Sequence, residues 1–320
     1  MKNKITGLLA ALILSLTCIT IGCSASDTVI TTEAIGATEP ASIVHFDTAN
    51  PEKEAINFIR FLEETEDPKR FQIECDQKNI TKSCYYFASY HEIITEDITQ
   101  AYGYYKKAFD LGLKQTGFFI AKFQIFNPEL FDDDNRLTID ENINYLKQAS
   151  DAGSPDATRL LMLIYRKPEY NRVDYVQAEY YNKLAIKQNV KYSRYTLAFL
   201  YTHHLKDKSK IDDSIELYKD DLLAEKNWES STALSGIYLN PEEFGSELNY
   251  VKALAYAYVT RDIRKDIVND PANEMFENVE DDLIELLPRS LTPDQLEQAK
   301  VLYLEITEKM NSQSTSKQST

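Results

Sequence analysis

The sequence predicts an all-α fold, a right-handed superhelical α-solenoid of helix-turn-helix repeats, and three observations predict it. An aromatic anchor recurs at Tyr104, Tyr145, Tyr181, Tyr218 and Tyr256, with spacings of 41, 36, 37 and 38 residues. A second series, Tyr90, Ile125, Tyr165, Tyr201 and Tyr238, precedes it with spacings of 35, 40, 36 and 37. Two interleaved series of matching period mean two helices per repeat, each pair burying its apolar face against the next. Pro128, Pro168 and Pro241 each stand three residues after a member of the second series. Proline cannot continue the helix hydrogen-bond ladder and biases its predecessor out of the α region, so it stops each of these first helices on schedule.

The chain begins with Met1-Lys2-Asn3-Lys4, a basic stretch, followed by an apolar run from Leu8 to Leu16 and by Thr20-Ile21-Gly22-Cys23. That run is too short to span a bilayer comfortably and carries signal-peptide flanks. The pattern resembles a bacterial lipoprotein signal, which implies cleavage after Gly22 and a lipid on Cys23. An ordinary secretory signal cut near Ser24 to Ser26 fits the same flanks. By resemblance to enterobacterial sorting, Ser24 implies an outer-membrane anchor facing the periplasm. Residues 1–22 are therefore expected to leave with the signal, and 23–50 to form a polar tether reaching roughly 80–90 Å at ~3.3 Å per residue.

The formal charge is −16, and loss of Lys2 and Lys4 takes it to about −18. An acidic excess of that size argues against nucleic acid or an anionic membrane surface as partner, because phosphate binding needs clustered Lys and Arg. Any membrane link is then expected through the N-terminal lipid only. With Cys18 in the signal and Cys23 lipidated, Cys75 and Cys84 remain as an even pair in an oxidising compartment, read as a structural staple. Two thiols with only His91 nearby are too few for zinc.

The repeat body is expected over 51–310. Residues 52–66 read as a helix, with Arg70 to Cys75 ending an incomplete first repeat. First helices follow near 82–93, 117–126, 155–166, 192–204 and 229–239. Second helices are expected near 97–111, 139–152, 174–188, 212–225 and 249–263. Ser154-Pro155-Asp156 and Thr292-Pro293-Asp294 read as helix starts, with a capping hydroxyl, proline in the first position and an acid in the first turn. A last helix over about 293–310 caps the stack, and 311–320 is expected as a disordered polar tail.

The second helices resemble Sel-one-like repeats, longer relatives of tetratricopeptide repeats. The resemblance rests on Asp97, Gln100, Ala101, Tyr104, Tyr105, Lys107, Ala108 and Gly112, on Asp174, Ala178, Tyr181, Ala185 and Asn189, and on Lys252, Ala253 and Tyr256. The closing Leu291-Thr292-Pro293-Asp294-Gln295-Leu296 with Ala299 resembles the family's terminal helix. Cysteine-rich members pair a cysteine late in one second helix with one opening the next first helix, the places of Cys75 and Cys84. Small residues such as Ala101, Ala149 and Ala178 let neighbouring helices approach, and most of the 21 tyrosines fill the space between pairs, hydroxyl toward water or a carbonyl.

Catalytic groups are sparse. His203 and His204 are adjacent and point about 100° apart on a helix, so they cannot chelate as an i, i+4 pair would. His45 falls in the tether. Asp132-Asp133-Asp134 lacks the glycine and closing glutamate of a calcium loop. Ser314-Thr315-Ser316-Lys317 spells a serine-x-x-lysine motif, but in the tail, where nothing holds an oxyanion hole. No cofactor or metal is expected, and the chain is read as not an enzyme. The resemblance implies a groove lined by first helices, with Phe119, Phe123, Arg159, Leu163, Tyr195 and Phe199 facing it; a register one residue off puts them in the core instead. Function is read as protein binding, by an envelope adaptor or scaffold or by an immunity protein against a secreted phospholipase-type effector, with a peptidoglycan or β-lactam hydrolase as the reading from another class.

Overall fold

The computed structural model describes residues 68–268 and 279–317. The signal segment, Cys23, the tether, His45 and the expected helix over 52–66 lie outside the described residues. The chain divides into two compact units, Met1–Asn171 and Arg172–Thr320, where a single repeat body was expected. Among the described residues every regular element is helical.

In the N-terminal unit the helices are α1 (Lys69–Lys78), α2 (Thr81–Tyr90), α3 (Ile98–Asp110), α4 (Gly117–Phe126), α5 (Ile139–Asp151) and α6 (Pro155–Arg166). Each packs on the next in sequence, and α6 also reaches α4, so first helices stack on first helices. In the C-terminal unit they are α7 (Tyr175–Lys187), α8 (Ser193–Phe199), α9 (Ile211–Glu225), α10 (Trp228–Leu239), α11 (Tyr250–Val268), α12 (Val279–Leu286) and α13 (Pro293–Lys317). Here α7 to α11 pack in chain order, and α13 lies against both α11 and α9.

The register is marked most sharply by backbone rather than by side chains. Eight residues after Tyr104, Tyr145, Tyr181 and Tyr218 stand Gly112, Gly153, Asn189 and Lys226, all in the left-handed region at φ 106°, 93°, 54° and 52°. Such a residue ends a helix by turning its last carbonyls onto the following amides. Asn79, at φ 51°, stands eight residues after Phe71, so Phe71 opens the aromatic series. After Tyr256 the same place holds Arg264 inside α11, and without that stop the helix runs on to Val268, past the expected 263.

First helices end in two ways. Those followed by Pro128, Pro168 and Pro241 stop at Phe126, Arg166 and Leu239. The two without proline slide into π turns, His91–Thr95 after α2 and Leu200–His204 after α8, which close at the left-handed Glu96 and Lys206. The starts of α3, α5, α6, α7, α10 and α13 are capped by side chains. Asp97 Oδ1 accepts from Gln100 N at 3.0 Å, Thr138 and Glu141 form a capping box, and Asp174, Ser154 and Asn227 cap α7, α6 and α10. Thr292 and Gln295 make the reciprocal pair that opens α13.

Each unit has its own core. That of the N-terminal unit centres on Phe71, Cys75, Cys84, Tyr85, Tyr105 and Phe123, and the Cys75–Cys84 bond, Cα atoms 4.8 Å apart, joins α1 to α2. That of the C-terminal unit gathers Tyr218, Leu222, Leu234, Tyr238, Tyr256 and Ile306. Tyrosines fill both, but several of their hydroxyls turn to carboxylates rather than to water or carbonyls. Tyr104 donates to Asp76 at 3.2 Å, Tyr105 to Glu92 at 2.7 Å and Tyr201 to Glu179 at 2.9 Å, a consequence of 51 acidic residues distributed over the chain. α13 continues to Lys317 rather than ending at 310, since Asn311 to Lys317 holds neither glycine nor proline to stop it, and α12 was not expected at all.

Candidate binding faces on the first helices

Counting from Gly112, Gly153, Asn189 and Lys226 fixes what the four following first helices show. The eleventh position holds Phe123, Ile164, Leu200 and Ile237, all at most 1% exposed. The tenth holds Lys122, Leu163, Phe199 and Gly236, of which all but Leu163 are partly exposed. The twelfth, the anchor place, holds Tyr165, Tyr201 and Tyr238 but Gln124 in α4. Gln124 is buried and bonds Tyr102 Oη at 3.2 Å and the Asn135 carbonyl at 3.1 Å, doing with an amide what the tyrosines do with a ring. Taking Ile125 as the anchor therefore shifts that helix by one residue.

The expected groove residues separate accordingly. Phe123, Leu163 and Tyr195 are buried, Tyr195 against Phe199 and Tyr218 with ring centroids 5.9 and 5.8 Å away. All three are core: Phe123 because Ile125 stands one residue off the anchor place, and Leu163 and Tyr195 although Tyr165 and Tyr201 stand at it. Phe119, Arg159 and Phe199 stay half-exposed, Arg159 paired with Asp156 at 2.8 Å.

In the N-terminal unit the open face carries an ionic pair that the expected groove omitted. Lys122 Nζ meets Glu92 Oε1 at 2.7 Å, with side chains 18% and 15% exposed. Glu92 Oε2 accepts from the Tyr105 phenol, which Ser89 Oγ contacts at 3.1 Å. Burial, reinforced by the Glu92 charge, pushes the Tyr105 hydroxyl well above the ordinary range, so it stays a donor. Phe119 stacks on Tyr105 at 4.2 Å, and Lys122 lies 5.2 Å from the Phe123 centroid. Phe126 stands exposed one turn on. A signal existed: Lys122 is the single charge in Gly117–Phe126.

The matching face of the C-terminal unit is aromatic and open. His203 stacks on Phe199 at 4.2 Å and lies 5.8 Å from Phe244, while His204 turns to Tyr175, whose centroid is 5.4 Å away. Among the described residues no group of three His, Cys, Asp or Glu side chains could hold a metal. A Cβ at Gly236 would meet nothing within 4 Å. Such faces offer ring edges, a half-buried ion pair and an open notch, the chemistry of polypeptide recognition.

No family model and no curated protein matches the sequence. Solved structures do. The chain is similar to a protective antigen present in uropathogenic Escherichia coli strains that displays an SLR fold, with a TM-score of 0.55 and 16% identity over 85% of this chain. It spans 56% of that chain's length. A Sel1 repeat protein from Oxalobacter formigenes aligns with a TM-score of 0.49 and 15% identity, covering 79% of this chain and 98% of that one. The first of these, with the helix pairs described above, defines the class: an all-α repeat fold of the SLR type.

Proposed function

We propose that this chain is a non-catalytic adaptor or scaffold of the bacterial cell envelope, anchored by a lipid on Cys23 at the outer membrane, facing the periplasm, and binding protein partners through its first-helix faces. The observation that carries the reading is the exposed Phe126 beside the partly buried Phe119 and the largely buried Lys122–Glu92 pair in the N-terminal unit. These are rings and a charge held ready on rigid helices, where a soluble stack needs only polar side chains. The buried Cys75–Cys84 bond supports an oxidising compartment.

The formal charge of −16 favours a sharper reading, that of an immunity protein neutralising a secreted effector of phospholipase type whose basic surface it attracts. Affinity capture with the chain from envelope and culture-supernatant proteins tests both, run beside Phe119→Ala/Lys122→Ala. One dominant secreted effector lost with the double variant supports the immunity role, and a set of envelope proteins lost with it supports the adaptor. Capture indifferent to both substitutions removes the face assignment. Turnover of peptidoglycan or a β-lactam by the purified protein would sink the non-catalytic reading.

A further inference from the structure

The outermost face of a helical stack is ordinarily polar, because it meets water. The outward strip of α13 is not. It runs Glu297, Val301, Leu304, Glu308 at helical spacing, with Val301 47% and Leu304 60% exposed, Asp294 and Glu305 alongside, and Lys300 at its margin 3.9 Å from Glu297, so that acids outnumber bases on it. In the same unit α7 carries a strip of the opposite charge. Val176 is 76% and Tyr180 56% exposed, and Lys183 and Lys187 stand exposed further along the same face. Lys183 reaches back to Glu179 at 2.5 Å, which leaves Lys187 to carry most of that strip's charge outward.

We propose that these two faces bind each other between copies of this chain, α13 of one copy lying on α7 of the next. Placed antiparallel, Val176 and Tyr180 cover Val301 and Leu304, and the two lysines come over Glu297 and Asp294. The lengths agree: at a 1.5 Å rise, Tyr180 to Lys187 and Val301 to Asp294 each span roughly 10 Å. Like-with-like pairing fails on both sides. Two α13 strips set Glu297 and Glu308 against acids in either direction. Two α7 strips set lysine on lysine when parallel, and lysine on Val176 when antiparallel. The contact therefore joins unlike faces, and every copy offers one of each: across a two-fold axis it closes as a dimer with two such contacts, and otherwise it extends head to tail. One helix on one helix is a small area, so association is weak and concentration-dependent.

Analytical ultracentrifugation of the full chain tests this at roughly 0.15 M salt, where the Debye length of about 8 Å screens distant charges. The apparent mass should rise with concentration, to a plateau at the dimer where the faces pair twice across a two-fold and past it where they pair head to tail. Leu304→Asp and Val176→Asp each remove one face. Each alone should stay monomeric with an unchanged circular dichroism spectrum, since both side chains are on the surface. Mixed in equal amounts, the two variants retain complementary faces and should form one heterodimer that goes no further. Lys187→Glu should weaken association several-fold, and Asp294→Lys on the facing copy should restore it. A wild-type chain that remains monomeric throughout, or variants that fail to complement when mixed, would overturn the proposal.

Discussion

Two glycines on helices show how local geometry decides the sign of a substitution. Gly117 opens α4 against α5, and a Cβ there would meet the Tyr145 carbonyl oxygen at 2.6 Å and a Phe109 ring carbon at 3.0 Å. Backbone cannot yield as a side chain can, so Gly117→Ala should cost about 1–3 kcal/mol through forced separation of the helices. Gly103 lies inside α3 with nothing within 4 Å of its Cβ position. Gly103→Ala should stabilise by about 0.5–1 kcal/mol, because alanine loses less backbone entropy in a helix. Urea denaturation of the two variants checks both; equal shifts of one sign would remove the packing argument. His91 makes a third case. Its ring lies 4.6 Å from Phe87 and 6.0 Å from Tyr104, and burial lowers its pKa from the ordinary 6.5 against the opposing pull of Asp97. A lowered folded-state value means that the contribution to stability is present above pH 6.5 and lost as pH falls through the folded value. His91→Phe should therefore flatten the fall in melting temperature below that pH, and a slope equal to wild type would refute the assignment.

At the scale of elements, most of the helix pairing was legible in the sequence. The bounds 117–126 and 155–166 coincide with α4 and α6, and the second helices fall within a residue or two of their expected ends as far as α9. The reason is that aromatic period, proline stops and capping residues all mark the same boundaries. What was not legible has local causes. Gln124 replaces a tyrosine at the anchor place, so Phe123 was expected in the groove where Lys122 faces out. Arg264 replaces a left-handed residue, so α11 overruns. The π turns after α2 and α8 arise where proline is missing, and their first residues read as ordinary helix. α1 is lightly secured, ten residues long with only Phe71 and Cys75 buried. Its hold on α2 is the disulfide together with Ser83 Oγ donating to Glu74 at 2.7 Å. Closing so short a loop contributes about 2–3 kcal/mol in the chain-entropy treatment. Cys75→Ser/Cys84→Ser should lower stability by that order and raise amide exchange in α1 first. Protection of α1 equal to that of α3 in the double variant would show the staple to be dispensable.

For the whole molecule, charge and anchoring pull in opposite directions. An acidic chain of −16 is repelled by anionic leaflets, and no described helix is long and apolar enough to cross a membrane. If the chain resides at a membrane, acyl chains at ~0.8 kcal/mol per buried CH₂ can hold it there where an acidic surface cannot. Cys23 is the position whose surroundings fit that chemistry, with Gly22 before it and an apolar run upstream. The expected result of Cys23→Ala is release of the protein into the soluble fraction with its binding faces intact. Fractionation of cells carrying either form, read by immunoblot, distinguishes the cases. A variant that still sediments with membranes at high salt would assign attachment to some other segment, whereas a soluble variant that still captures its partner would separate anchoring from recognition.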